Sequence, residues 1–341
     1  MDPDGVLTAS QGLTDSFGRV VKDLRISITD RCNFRCIYCM PAEGLKWVPR
    51  ADVLTFEEIE RVARVFVERF GVESIRLTGG EPTVRSDVVG LVRMLAALRT
   101  ADGNPVDLAL TTNGVKLPKL AGDLRAAGLQ RINISLDSLN REKFAAITRR
   151  DALDEVLAGI DAAIAAGLSP VKVNAVVVRG WNEDEVVDFA TFGRERGVQP
   201  RFIEFMPLDA DGGWTIEQVV SAEDIVAAID AVYPLVEVAH GPEPASRWRY
   251  ADGRGEIGVI ASVTKPFCDD CDRVRLTAEG SFQTCLFARD DYDFRTVLRS
   301  GGTDDDLAAL AARAVGVKWA GHRIGKVDFI RPRRSMSQIG G

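Results

Sequence analysis

Six cysteines in this chain fall into two sets of three: Cys32, Cys36 and Cys39 at a C-x3-C-x2-C spacing, and Cys268, Cys271 and Cys285 at C-x2-C-x13-C. Each set is one ligand short of a closed tetrahedral site. Structural zinc normally closes with four ligands, whereas an iron–sulfur cluster held by three thiolates leaves one iron free to bind another molecule. A zinc reading needs a fourth ligand near each set, and the two histidines, His240 and His322, are close in sequence to neither. Asp269, Asp270 or Asp272 could complete the second set. A disulfide framework is disfavoured, because nothing reads as a secretory signal and a chain of 341 residues needs no staples. Two clusters, each with an open iron, are the expectation.

The elements that would position them alternate. Strand candidates are Leu24–Thr29, Ser74–Thr78, Asp107–Thr111, Arg131–Leu136, Val171–Val178 and Arg201–Met206. Amphipathic stretches lie between or after them at Phe56–Phe70, Asp87–Leu98, Pro118–Ala127, Ala152–Ala166, Glu183–Glu195 and Ser221–Val232. Repeated βα units imply a parallel sheet with helices outside; eight would close a barrel, and six predict a partial (β/α)6 TIM-like barrel of the α/β class. The first cysteine set falls just past the first strand, at the end where such barrels place their chemistry. From about Pro234 the rhythm changes to short strands at Trp248–Ala251, Glu256–Thr264, Val274–Leu276 and Phe282–Phe287, then a helix near Asp304–Val315. The expected organisation is an N-terminal extension (1–20), the partial barrel (21–233), a smaller C-terminal region carrying the second cysteine set (234–330) and a basic tail ending in two glycines (331–341).

Strands buried on both faces normally read as continuous apolar runs, yet these alternate. Leu24, Ile26 and Ile28 oppose Arg25, Ser27 and Thr29; Ile75 and Leu77 oppose Arg76 and Thr78; Ile132, Ile134 and Leu136 oppose Arg131, Asn133 and Ser135; Val171 and Val173 oppose Lys172 and Asn174. Helices must cover the apolar face, which leaves a polar lumen suited to an anionic ligand. The alternative is an open sheet with one solvated face.

A hydrophobic content of 46%, with 27% charged residues, suits a chain with one large core or two moderate ones. The net charge of −7 argues against non-specific nucleic-acid binding while permitting a local basic pocket. No apolar run approaches the roughly 20 residues that span a bilayer, and the acidic, turn-rich start MDPDGVLTASQG is unlike a targeting peptide. A cytoplasmic location with reduced thiols is expected.

Tyr38 immediately precedes the last cysteine of the first set, and Gly79, Gly80, Glu81 and Pro82 follow the second strand. In these features the sequence resembles the radical S-adenosylmethionine superfamily. Within it, LRISITDRCNFRCIYCM, IRLTGGEP, RINISLDSL, the second cysteine set with Arg273 and Arg275 behind it, and the Gly340–Gly341 terminus resemble the GTP 3′,8-cyclase family of molybdenum cofactor biosynthesis. The likeness is looser at Thr83–Val84, where bulkier apolar residues are expected, and in the extra N-terminal residues.

The resemblance implies two [4Fe-4S] clusters, on Cys32, Cys36 and Cys39 and on Cys268, Cys271 and Cys285. It implies S-adenosylmethionine contacts at Tyr38, Gly80, Ser135 and Met206, and GTP contacts at Arg25, Arg76, Thr111, Lys172, Arg273 and Arg275. Arg273, Arg275, Gly340 and Gly341 are implied in catalysis, the two glycines by reaching into the site. The implied reaction converts GTP to 3′,8-cyclo-7,8-dihydro-GTP after a 5′-deoxyadenosyl radical removes the 3′ hydrogen. An external electron donor and a downstream cyclic pyranopterin monophosphate synthase are implied partners, with no nucleic acid or membrane; the chain is a monomer or homodimer. Asp137 reads as either a lumen group or a helix cap. Rival readings fit less well: a peptide-modifying relative generally has more C-terminal cysteines, an electron-transfer protein needs closed four-cysteine sites, and a Ser–His or Cys–His hydrolase has few candidate residues.

Overall fold

Alternation along the strands has become a two-faced sheet. In the structure, a computed structural model, residues 12–209, 212–239, 241, 243–324, 326, 329–332 and 334–340 are described. Six βα units come first: β1 (Asp23–Ser27), α1 (Phe56–Phe70), β2 (Ser74–Thr78), α2 (Val88–Ala96), β3 (Asp107–Thr112), α3 (Leu117–Ala126), β4 (Arg131–Ser135), α4 (Arg141–Thr148), α5 (Leu153–Ala165), β5 (Val171–Val177), α6 (Val186–Arg196), β6 (Gln199–Glu204) and α7 (Ala222–Asp230). Leu24, Ile26, Ile75, Leu77, Ile132 and Ile134 are buried in one core with helix residues such as Ile59, Val62 and Phe66.

Local signals fix the first helix at both ends. Thr55 accepts a hydrogen bond from the Glu58 amide while Glu58 accepts one from the Thr55 amide, satisfying two of the first turn's free donors. Gly71 ends the helix at φ 68°, a left-handed conformation that costs glycine nothing. Asp87 stands outside its helix as the N-cap, and 183–185 form a single 3-10 turn ahead of α6. Sequence periodicity missed α4, which is eight residues long and capped by Asn140.

The chain continues through β7 (Leu235–Val238), β8 (Ser246–Tyr250), β9 (Glu256–Ile260), β10 (Arg273–Leu276), β11 (Ser281–Gln283), β12 (Tyr292–Asp293), α8 (Phe294–Arg299), α9 (Asp304–Gly316) and α10 (Met336–Ile339). These strands join the same sheet, whose order is β12-β11-β10-β1-β2-β3-β4-β5-β6-β9-β8-β7. β10 pairs parallel to β1 and β9 parallel to β6, so the parallel run is longer than the six βα units alone provide. Antiparallel strands flank it on both sides, and the sheet stays open as a partial barrel. The strand expected at Phe282–Phe287 stops at Gln283, because the chain there turns away and presents Cys285.

Candidate active site

Both cysteine sets line one cavity of about 280 Å3 that runs along the lumen, the first set at the C-terminal end of β1 and the second at the N-terminal end of β10, level with the start of β1. Cys32, Cys36 and Cys39 occupy the loop leaving β1, where the Cys39 and Met40 amides both donate to the Cys36 carbonyl. All six thiols are free. Burial pushes the Cys32 thiol up to about 11 and Cys39 to about 12, so both are protonated until a metal replaces the proton.

The second set is more electropositive. Burial would raise Cys271, but Arg273 and Lys318 pull it below its ordinary value. Buried Lys318 donates to the carbonyls of Cys271 (2.8 Å) and Arg273 (3.1 Å), with its amine 3.8 Å from the Cys271 sulfur. Arg19, paired with Asp15, donates to the carbonyls of Cys268, Trp319 and Ala320 and pins the loop from behind. His322 reaches this region through its backbone, which donates toward Cys268. Asp269 and Asp270 are exposed on a 3-10 turn and do not line the cavity. Among the described residues no group of three or more Cys, His, Asp or Glu side chains is arranged around a single metal ion. Three thiols spread along a cavity wall fit a multi-iron cluster, whose ligands sit on different corners of a cube.

The segment Gly79–Pro82 owes its glycines to backbone packing. A Cβ on Gly80 would lie 2.5 Å from the Arg31 carbonyl oxygen and 2.6 Å from that of Asp30; one on Gly79 would lie 2.5 Å from that of Thr29. The loop ahead of Cys32 therefore rests directly on this turn. Glu81 is buried and accepts from the Thr83 amide and hydroxyl, the Thr112 hydroxyl and the Asn113 amide, tying the exit of β2 to that of β3. Asp137 is no helix cap: it lines the cavity, accepts from the Tyr38 hydroxyl (2.6 Å) and the Val176 amide, and is pushed up to about 6 by burial.

Cations fill the wall between the two cysteine sets. Sheet register places Arg275, Arg25 and Arg76 side by side on β10, β1 and β2, and sets Arg273 opposite Asp23. The buried Nε atoms of Arg25, Arg76 and Arg273 have no hydrogen-bond partner. Burial and neighbouring arginines push Arg25 and Arg275 down to about 9, which still leaves both charged at neutral pH. Burial alone would raise Asp23, but Arg25, Arg76, Arg273 and Arg275 together hold it below its usual range. One carboxylate among four guanidiniums leaves a strong positive excess suited to a polyanion.

Tyr38, Gly80, Thr111, Ser135 and Met206 also line this cavity. Gly340 meets it from the tail, accepting a 2.5 Å hydrogen bond from Arg275; a Cβ there would lie 2.6 Å from Thr78 Cγ2. Gly341 lies outside the described residues. Lys172 is placed elsewhere, in a second cavity at the N-terminal ends of the strands, which shares Arg201 with the first. Arg201 was not singled out in the sequence, although it lies on β6, where Arg201 and Ile203 face the lumen. Alternation carried that signal.

A polar-lined partial barrel with C-x3-C-x2-C at the exit of its first strand defines a radical S-adenosylmethionine enzyme. Residues 26–193 match the Radical SAM superfamily, and residues 198–324 match Molybdenum Cofactor Synthesis C. The chain belongs to the GTP 3′,8-cyclase family. It is 48% identical to the GTP 3′,8-cyclase of Corynebacterium glutamicum over 96% of this chain and 89% of that protein. The corresponding protein of Paenarthrobacter nicotinovorans is 47% identical over 98% of each, and GTP 3′,8-cyclase 2 of Mycobacterium tuberculosis is 48% identical over 100% of this chain and 95% of that one. Among solved structures, Streptococcus suis SuiB superposes with a TM-score of 0.58 at 14% identity, over 83% of this chain and 62% of that one. Its S-adenosylmethionine-bound form gives 0.57 at 14% identity, over 78% and 60%. This chain spans about three fifths of SuiB, and that likeness concerns the fold.

Proposed function

We propose that this chain is the enzyme that converts GTP to 3′,8-cyclo-7,8-dihydro-GTP in molybdenum cofactor biosynthesis, using S-adenosylmethionine and two [4Fe-4S] clusters. The observation that carries the reading is one cavity lined by both cysteine sets with an arginine row between them that Asp23 only partly neutralises. Cys32, Cys36 and Cys39 would hold the cluster that binds S-adenosylmethionine; Cys268, Cys271 and Cys285 would hold the one that anchors the substrate. When bound, S-adenosylmethionine supplies the 5′-deoxyadenosyl radical that removes the 3′ hydrogen of GTP.

The protein's own part is positioning and charge. Arg25, Arg76, Arg273 and Arg275 bind the anionic substrate between the cluster sites, and Thr111 adds a hydroxyl on the same wall. Tyr38, Gly80, Ser135 and Met206 contact S-adenosylmethionine, with Asp137 fixing the Tyr38 hydroxyl. Gly340 orients Arg275 from the tail, and Gly341 is assigned to catalysis with it by the family resemblance. Lys172 and Arg201, deeper in the barrel, serve the phosphates.

An external reductant and a downstream enzyme that consumes the cyclic nucleotide complete the reading. Among the described residues no helix is long and apolar enough to cross a membrane, which fits work in the cytoplasm. The test is anaerobic incubation of the iron-reconstituted protein with S-adenosylmethionine, reductant and GTP deuterated at C3′. Deuterium in 5′-deoxyadenosine together with an isomer of GTP is expected; turnover without isotope transfer overturns the assignment.

A further inference from the structure

The floor of the barrel holds a charge arrangement that the arginine row does not account for. Asp107, Arg131, Lys172, Gln199 and Glu256 stand at or next to the first residues of β3, β4, β5, β6 and β9, and line the second cavity with Arg201, Arg247 and Glu243. Among the described residues, Pro170 is the only lining residue with an apolar side chain. A purine could not stack there; a phosphate could bind.

Two of the four cations are neutralised by strand neighbours: Arg131 by Asp107 and, at 3.7 Å, Arg247 by Glu256. Arg201, only 6% exposed, pairs with Glu243 at 3.2 Å. Lys172, only 7% exposed, has no carboxylate within ion-pair distance among the described residues. Glu243 differs from the other carboxylates of the floor, Asp107 and Glu256, because it comes from between β7 and β8 and not from a strand that lines the floor; its side chain is about half exposed. A carboxylate on an exposed loop that reaches in to a buried guanidinium beside an unpaired amine sits where an anion belongs.

We propose that Glu243 is a displaceable counter-ion standing in the terminal-phosphate position, so that binding of a nucleoside triphosphate exchanges its carboxylate for the outermost phosphate on Arg201 and Lys172. The proposal rests on the reading of GTP as substrate. Because the main cavity holds both cysteine sets and meets the floor at Arg201, which lines both cavities, the reacting sugar and base stay between the cluster sites and only the end of the triphosphate reaches Arg201 and Lys172. Glu243 then weakens triphosphate binding and leaves shorter nucleotides, which do not reach the floor, unaffected. Because the cyclised product keeps its triphosphate, the returning carboxylate also helps expel it.

The test is equilibrium binding of GTP, GDP, GMP and inorganic tripolyphosphate to the cluster-loaded wild type and to Glu243→Gln and Glu243→Ala, at a pH below 7 where Lys172 is charged. Both variants are expected to tighten GTP and tripolyphosphate by about threefold to tenfold, the size of one partly exposed ion pair, and to leave GDP and GMP within about twofold. Equal tightening of all nucleotides would make Glu243 a general repulsive charge and overturn the exchange; so would unchanged or weaker GTP binding in both variants. If the wild type failed to bind GTP while the variants still tightened tripolyphosphate, the anion exchange would stand and the substrate reading would fall. No binding of either probe to any form would sink both.

Discussion

Like charges opposite one another on neighbouring strands repel, and Arg275, Arg25 and Arg76 are placed in that relation by the sheet register. Asp23, 3.6 Å from Arg25, offsets part of this repulsion, and on the proposed reading the substrate's phosphates offset the rest. Arg76→Met should therefore move two quantities in opposite directions. Ligand-free stability should rise by about 1 kcal/mol as the repulsion is relieved, while GTP affinity falls by about tenfold to a hundredfold. Thermal unfolding of the cluster-loaded protein with and without GTP reads both, and a less stable ligand-free variant would show that the row is not under repulsion. Lys172 makes the second residue-scale prediction. Burial, then Arg201 and Arg131, push its amine down to about 7, against the opposing pull of Glu243. A lysine loses its charge as pH rises through that value, so kcat/KM for GTP should fall above pH 7 while kcat changes little, since bound triphosphate holds the proton on. Lys172→Met should remove that limb; a pH profile identical to wild type would exclude Lys172 from the phosphate site. At this scale the cysteine spacings and the lumen arginines were legible because motif and alternation are local. Glu243 was not, since nothing near it in sequence announces that it pairs with Arg201, 42 residues earlier.

Elements were readable to the extent that they carry a period. The first helix was legible to the residue, because Thr55, Glu58 and Gly71 mark its ends chemically. Strands two to five were legible to within a residue or two through their alternation. Short or weakly periodic pieces, such as α4 and α10, were not. Glycines 79 and 80 teach a different lesson: the family resemblance implies a cofactor contact at Gly80, whereas the space that their missing side chains leave is filled by Thr29, Asp30 and Arg31. The loop that delivers Cys32 is thus set by contact with the turn after β2. Gly80→Ala should push that loop outward, with loss of iron from the first cluster and of S-adenosylmethionine binding, while the second cluster keeps its iron. Gly122→Ala is the control, for nothing lies within 4 Å of a Cβ there and its position inside α3 favours alanine by roughly 0.5–1 kcal/mol. Iron content and cofactor binding measured on both variants decide the matter: normal values for Gly80→Ala would mean that the loop tolerates displacement.

At the scale of the whole molecule, the C-terminal strands continue the sheet at both sides of the βα run, and this could not be read from the sequence. β10 pairs with a strand some 250 residues earlier, and its four residues carry no sign of which edge they will meet. That pairing sets the second cysteine set at the N-terminal end of the β10–β1 pair, with the first set at its C-terminal end. The tail then crosses the gap between them. Met336 and Ser337 line the cavity, Ser337 hydrogen-bonds to Cys39 of the first set, and the Gly340 carbonyl takes the Arg275 guanidinium beside the second. Gly340 itself lies against Ser27 and Thr78 at φ 83°, where any larger residue would strike Thr78 and strain the backbone. With its hydrogen-bond partner removed, Arg275 keeps its charge and loses its direction. Deleting Gly340 and Gly341 should therefore leave both clusters bound and 5′-deoxyadenosine still forming, while cyclised nucleotide disappears. Gly340→Ala should reproduce the loss with the chain length unchanged. Iron content, 5′-deoxyadenosine and nucleotide mass measured on the same samples separate the possibilities: retained cyclisation in the deletion would refute a role for the tail, and loss of cluster iron along with activity would reduce that role to structural support.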